Sequence, residues 1–522
     1  MYGIIDVETT FIREGEFPKT LFWGYADETG YKSFPTTARL LQFLRRTEPR
    51  IILHHSNFDI LQLLLDGAPI GISRTHNSRL IRCKLFKQNL LNSYSVFPLP
   101  LASIFECFGF KKSPLTCTNH NTRKNENDTE RTLRERDSES CPSCRQALQK
   151  RNYEDCIDGL SSFLSMDALF SKLIGISPLE RGTIAGTSFA AAQECGGKMP
   201  IDLQYLESYR GGRVEVFNTN KVTADKYDIN SSYPFAFLEC PKKDDLLCVR
   251  VDTKDYHCPL FDASIDDSLV FPNGSFVSWV YRSNLERYLE TNWSDTTIKI
   301  LKRKTIDFAW LRAVVPLIEK LYRKKHESKV KGDKAVETAA KLLLNSIYGR
   351  IGLKGESERC RILDYYPDKD DSTVFPLGKN RFLCFDTVFR ETKSNFPFAA
   401  FITDNARARL YRAFVGSKAY YGDTDSVITP KGKPYFQKHE DCGTEIGEWK
   451  FEGREIFKAN NVKDYFWGEE EVRKGGAGFT QWTLKTMAHG KHPRKIVRQR
   501  ISEMRKRVTT FNGETLPLVV NK

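Results

Sequence analysis

Two carboxylates two residues apart, in Tyr421-Gly422-Asp423-Thr424-Asp425-Ser426, fit a tight hairpin with acids at its tip. Upstream, Tyr227-Asp228-Ile229-Asn230-Ser231-Ser232-Tyr233-Pro234 places another aspartate at the end of an apolar strand, and Tyr-Pro marks a turn. Between them runs Lys341-Leu342-Leu343-Leu344-Asn345-Ser346-Ile347-Tyr348-Gly349. On a helix its Lys341, Asn345 and Tyr348 fall at i, i+4 and i+7, so one face offers a cation, an amide and an aromatic ring, with Gly349 as the stop. Hard divalent cations need oxygen ligands, and two such ions a few Å apart serve in-line phosphoryl displacement. Taken singly, each segment has a plainer reading as a turn, an amphipathic helix or a solvated loop.

At 522 residues the chain exceeds one ordinary core and suggests three or four domains. Its 80 Lys+Arg against 66 Asp+Glu give +14, which favours a polyanionic partner, nucleic acid or an acidic membrane surface. No apolar run is long enough to cross a bilayer, and Met1-Tyr2-Gly3-Ile4-Ile5-Asp6 lacks a secretory layout, so the expected location is cytoplasmic. Thirteen Cys, an odd number, read as mostly reduced thiols. The first 60 residues read as α/β: strands at Gly3–Glu8, Leu21–Tyr25 and Arg50–His55, with a helix at Thr37–Arg46. A polar stretch from about 114 to 150 reads as an insertion, and helical spacing follows over Asp155–Leu173. Phe308–Gly349 reads as a helical hairpin bent near His326–Asp333.

Together and in this order, the three acidic and basic segments resemble motifs A, B and C of the family B DNA polymerases. The resemblance implies a multidomain α/β and α+β chain, with an RNase H-like 3'-5' exonuclease domain followed by a right-hand palm, fingers and thumb. It implies that Asp228 and Asp425 hold two Mg2+ (or Mn2+) ions, that Asp423 supports the site, and that Lys341 meets the incoming dNTP phosphates. Asn345 and Tyr348 would frame the nascent base pair, and Tyr233 would lie under the sugar and exclude a 2'-hydroxyl. Ser232 stands where the family usually has a larger apolar residue.

Asp6 and Glu8 lie two apart on a strand, so both face one side. Ahead of a polymerase core they resemble the proofreading exonuclease, with Asp6, Glu8, Asp59 and Asp155 as ligands of a second metal pair. The chain departs from that pattern twice. His55 stands where the second motif has Asn, and Arg151 stands where the third has Tyr; counting from Tyr153 would nominate Asp158 instead of Asp155. Ser93 resembles the single-strand contact of the family, as do Tyr209-Arg210-Gly211-Gly212-Arg213 its template-binding linker and Lys463-Asp464-Tyr465 its primer contact. Cys117-x2-His120 followed by Cys141-x2-Cys144 has the ligand types and spacing for a structural Zn2+, against a plain reading as four unrelated residues.

Extra material at about 235–305 and 355–392, with a minimal N-terminus, resembles the protein-primed subgroup from small linear-genome viruses and plasmids. In that subgroup a hydroxyl of a terminal protein replaces the primer end, and the first insertion docks that protein. The expected domains are an exonuclease at 1–195, linker and first palm segment at 196–234, insertion at 235–305, fingers at 306–349, palm at 350–477 and thumb at 478–522. Between Lys485 and Arg507, nine Lys/Arg and one acid alternate with Val497, Ile501 and Met504, reading as a basic amphipathic helix laid on duplex phosphate rather than on a membrane. The expected partners are therefore DNA, dNTPs and a terminal protein, with no membrane. The rivals are a polymerase with a weak or dead exonuclease and a catalytically silent DNA-binding scaffold.

Overall fold

The computed structural model describes residues 1–10, 18–55, 57–76, 79–113, 141–253, 261–265, 268–272, 274–290, 296–365, 372–378, 381–389, 392–432, 442–468, 470–473, 508–509 and 515–516. The N-terminal part is built on β1 (Tyr2–Thr9), β2 (Thr20–Asp27), β3 (Gly30–Phe34), β4 (Ile51–His54), β5 (Ile70–His76), β6 (Arg79–Leu85) and β7 (Gln88–Asn92), in the order β3-β2-β1-β4-β7-β6-β5. Central β1 runs antiparallel to β2 and parallel to β4. Helix α1 (Thr37–Arg46) is capped by the Thr36 hydroxyl, which accepts from Arg39 N, and buries Leu40 and Leu44. It shares one face of the sheet with α2 (Asn57–Leu65), against Ile5, Val7 and Trp23. After α3 (Ser93–Val96) and α4 (Leu101–Cys107), the long α5 (Pro142–Ile174) covers the other face, packing Cys156, Leu160 and Phe163 on Ile4, Ala26 and Leu53. The period of two puts Asp6 and Glu8 on the Ile4 side, facing α5.

Short α6 (Pro178–Arg181) and α7 (Ile184–Gly196) lead to β8 (Val214–Val216) and β9 (Val222–Ile229), and α8 (Ser232–Leu238) follows the Asp228 strand. The first insertion holds β10 (Lys243–Thr253), β11 (Ala263–Ile265), β12 (Ser268–Val270), β13 (Gly274–Tyr281), α9 (Arg282–Leu289) and β14 (Thr296–Asp307), with β10 central between β13 and β14. The hairpin of α10 (Ala309–Lys331) and α11 (Lys334–Ser346) bends at Gly332, whose φ of 72° is the left-handed region that glycine favours, and Asp333 caps α11 by accepting from Val336 N. Helix α11 ends at Ser346, three residues before Gly349, because the chain tightens into a 3-10 turn at Tyr348–Arg350.

Strands β15 (Glu356–Leu363), β16 (Ser372–Gly378) and β17 (Arg381–Phe389) make a separate sheet, and its Leu377, Leu383 and Phe385 pack with Ile60 and Leu61 of the N-terminal part. Helix α12 (Phe396–Ser417), buried along most of its length, backs a second seven-stranded sheet. That sheet contains β18 (Tyr421–Asp423), β19 (Ser426–Pro430), β20 (Trp449–Asn461), β21 (Asp464–Trp467) and β22 (Glu470–Arg473), in the order β22-β21-β20-β9-β19-β18-β8. One apolar core joins the N-terminal and C-terminal parts, running from Phe163 and Phe170 through Ala191 to Trp310, Leu343 and Phe398. Among the described residues no helix is long and apolar enough to cross a membrane.

The structure corrects one boundary. Residues 142–150 belong to α5 and not to the polar insertion, because Pro142 starts the helix at its favoured first position. Cys141 and Cys144 are therefore buried at a helix start rather than on a free knuckle, while Cys117 and His120 lie outside the described residues. The basic segment 485–507 also lies outside them; just beyond it, Val508 pairs in a short strand with Leu516.

Gly422 shows how tightly α12 backs the hairpin. A Cβ there would stand 2.0 Å from the Phe414 ring. Gly422→Ala is expected to cost about 1–3 kcal/mol in chemical denaturation, and Phe414→Leu in the same chain should recover part of it.

Candidate active sites

Strand pairing builds the first site. Asp228 on β9 lies directly opposite Ser426 on β19, and Ile229 N donates to Asp425 O at 2.8 Å, so Asp425, in the turn before β19, sits beside the Asp228 end of β9. Thr424, in the two-residue turn, has φ 63° and donates its N–H to Arg213 O at 2.7 Å. Asp423 is held differently: Lys463 Nζ stands 3.0 Å from its Oδ1, and the Thr424 hydroxyl donates to the same oxygen. Asp423 is thus ion-paired with Lys463, while Asp228 and Asp425 meet at the same end of the sheet with oxygen ligands of the kind a hard divalent cation takes.

Cations approach from the helical hairpin. Lys341 and Asn345 are exposed on one face of α11. Lys325 of α10, which sequence reasoning missed, lies 3.2 Å from Ser231 Oγ. Burial and then Lys341 push its ammonium pKa down, while Asp228 pulls it up. Its only sequence signal was membership of the same hairpin. Tyr233 faces Tyr348 with ring centroids 4.2 Å apart, and burial lifts its pKa to about 12. The hydroxyls of Tyr209, Tyr348 and Tyr233 are linked in series, tying linker, helical hairpin and Asp228 segment together. Gly212 explains itself here, since a Cβ would stand 2.8 Å from Thr424 and 3.0 Å from the Tyr233 hydroxyl.

The second site gathers four acids from three elements. Asp6 and Glu8 come from β1, Asp59 from α2, accepting from Val7 N at 3.2 Å, and Asp155 from α5. Burial, then Asp155, Asp59 and Glu8, push the Asp6 carboxyl well above its ordinary range. Asp155, rather than Asp158, is therefore the α5 acid that shares the pocket with Asp6. Lys112, also missed from sequence, ion-pairs with Asp155 Oδ2 at 2.7 Å, while Asp155 Oδ1 is buried without a hydrogen bond. Among the described residues no three His, Cys, Asp or Glu side chains converge as a ready-made cage. Mutual repulsion and the bare Asp155 oxygen nevertheless suit hard divalent cations.

Residues 204–371 match the family described as "DNA polymerase type B, organellar and viral". The DNA-directed DNA polymerase of Enterobacteria phage PRD1 is 24% identical over 461 residues, covering 81% of this chain and 75% of the relative. The chain is a DNA-directed DNA polymerase, similar to the viral and organellar type B enzymes. In fold it is similar to phi29 DNA polymerase complexed with primer-template DNA and incoming nucleotide substrates, with a TM-score of 0.63 and 16% identity over 91% of this chain and 89% of the other. The phi29 enzyme complexed with single-stranded DNA gives a TM-score of 0.60 at 15% identity over the same shares.

Several side chains expected to touch DNA are committed elsewhere in the polymerase. Ser93 is fully buried; its hydroxyl donates to His54 O at 3.1 Å and lies 3.1 Å from His55 Nδ1. Arg213 is 1% exposed, ion-paired with Glu215 and stacked over Phe271 at 3.8 Å. Tyr465 is buried against Tyr421, and Lys463 serves Asp423. Arg210 stays half-buried near Asp262, and Gly211 faces open space.

His55 stacks on Phe163, and burial pushes its pKa down to about 4. The unfolded chain takes up a proton near pH 6.5 that the folded chain refuses, so stability present above pH 6.5 falls as pH drops toward 4, by up to about 3 kcal/mol. His55→Asn is expected to flatten that part of the denaturation-midpoint profile against pH.

Proposed function

We propose that this polymerase copies DNA by two-metal nucleotidyl transfer at Asp228 and Asp425, edits at the N-terminal acids, and starts replication on a protein primer. The observation that carries the first claim is the pairing of β9 with β19, which sets Asp228 and Asp425 side by side beneath Lys325 and Lys341. Mg2+ (or Mn2+) bound there would acidify the attacking hydroxyl and neutralise the leaving pyrophosphate. The chain's own groups do the rest. Lys325 and Lys341 offer two cations to a triphosphate, as point charges rather than forks. Asn345 and Tyr348 border the space for the base pair, and Tyr233 lies where a ribose 2'-hydroxyl would meet its ring. Because Tyr233 and Tyr348 touch, an entering nucleotide must part them.

Primer extension in Mg2+ tests the reading: wild type should extend, and Asp228→Asn and Asp425→Asn should each abolish extension while leaving the protein folded. Retained extension by Asp425→Asn would sink the assignment and favour the silent scaffold. Tyr233→Val is expected to raise ribonucleotide incorporation by about tenfold or more.

The acid cluster of Asp6, Glu8, Asp59 and Asp155 supports 3'-5' digestion of single strands, with Lys112 balancing Asp155. His55 and Arg151, at positions where the family has Asn and Tyr, favour a slower exonuclease as the second reading. Insertions at β10–β14 and β15–β17 support protein priming, with the first as the docking region. Covalent labelling of a terminal protein by a radiolabelled dNTP checks it, and labelling should vanish in Asp228→Asn.

A further inference from the structure

We propose that Tyr31, Asn152 and Gly24 form a positioning relay that sets how tightly the N-terminal acids hold a divalent cation. The inference rests on the exonuclease reading of that site and goes beyond it by assigning roles to three residues outside its acidic motifs.

Gly24 on β2 lies directly opposite Asp6 on β1. Having no side chain, it leaves a hole beside the carboxylate, and Asn152 of α5 fills it; a Cβ at Gly24 would stand 1.9 Å from Asn152 Oδ1. Asn152 is fully buried. Its Nδ2 donates to Asp6 Oδ2 at 2.7 Å and to Asp6 O at 3.2 Å, while Tyr31 of β3 donates its hydroxyl to Asn152 Oδ1 at 2.8 Å. The amide can sit only this way round, since a flip would face its oxygen toward two acceptors and its NH2 toward the phenol. Tyr31 thereby fixes the amide, and the amide fixes one oxygen of Asp6, whose carboxyl shares its site with the charges of Asp155, Asp59 and Glu8. Donors behind a metal-binding carboxylate orient it, and losing them typically weakens metal affinity 10–100-fold. Tyr31 is itself held edge-on by Tyr153, ring centroids 5.2 Å apart. That places Tyr153 behind the relay rather than at the reacting atoms.

The test measures Mn2+ binding to the full chain by electron paramagnetic resonance, in an Asp228→Asn, Asp425→Asn background that removes the palm site. Asn152→Leu, close in volume but without donors, is expected to raise the Mn2+ Kd by about 10–100-fold. Tyr31→Phe should raise it less, and should add nothing once Asn152→Leu is present. Gly24→Ala should match Asn152→Leu by displacing the amide. With the palm acids restored, all three variants should extend primers normally, and their digestion of single strands should recover at raised Mn2+. Unchanged Mn2+ affinity in Asn152→Leu overturns the relay, as does a Tyr31→Phe effect that persists in full beside Asn152→Leu. If Asn152→Leu does not fold, Tyr31→Phe with unaltered affinity overturns it alone. Asp6→Asn separates the two levels. If it removes neither a Mn2+ site nor 3'-5' digestion, the exonuclease reading fails; if it removes both while Asn152→Leu changes neither, only the relay fails.

Discussion

The antiparallel register of β9 with β19 is the constraint on which the rest of the polymerase turns. It brings Asp228, at the end of β9, and Asp425, in the turn just before β19, to one end of the sheet although they lie 197 residues apart in the chain, so two negative charges meet there. Neighbouring structure answers that charge. Lys463 ion-pairs with Asp423, and Lys325, on the helical hairpin with Lys341, feels the charge of Asp228. The backbone at the tip is fixed by Arg213 O, and the Arg213 side chain is locked among Phe271, Tyr411 and Phe414. Gly212 and Gly422 are glycines because the tip is packed from both sides.

The N-terminal site repeats the logic with different parts. A strand supplies two acids on one face, helices on both sides of the sheet supply the others, and two of the four have polar counterweights from outside the site: Lys112 for Asp155 and Asn152 for Asp6. The sites are joined through one apolar core, in which α7 packs against the helical hairpin of α10 and α11 and near Phe398 of α12. Lys320 of α10 donates to Leu173 O near the end of α5, so the helix that carries Asp155 is capped by a residue of the helical hairpin.

What could be read in the chain was local. The spacing of Asp423 and Asp425, the i, i+4 pairing of Lys341 with Asn345, and the run Thr37–Arg46 each depend on a few consecutive residues, and the structure has the hairpin, the helix face and α1 there. What escaped depended on partners far away in sequence. Lys112 matters because α5 brings Asp155 to it, and Lys325 because the hairpin folds it over Ser231. Ser93, Arg213 and Tyr465 stood out only through resemblance to the family's motifs, and that resemblance could not show their contacts with His55, Phe271 and Tyr421, which lie far off in sequence. The start of α5 was misplaced because its first turns are polar, so no apolar period marked them.

The central claim is that Asp228 and Asp425, and not the Lys463-paired Asp423, are the carboxylates that take metal for nucleotide transfer. The most direct measurement is anomalous diffraction from crystals of the chain soaked with Mn2+ and a dNTP on a template whose primer ends in a 3'-dideoxynucleotide. The account predicts Mn2+ peaks bridging Asp228 and Asp425, with Lys463 still on Asp423. A peak centred on Asp423 with Lys463 displaced, or none between Asp228 and Asp425 while the dNTP is bound, would contradict it.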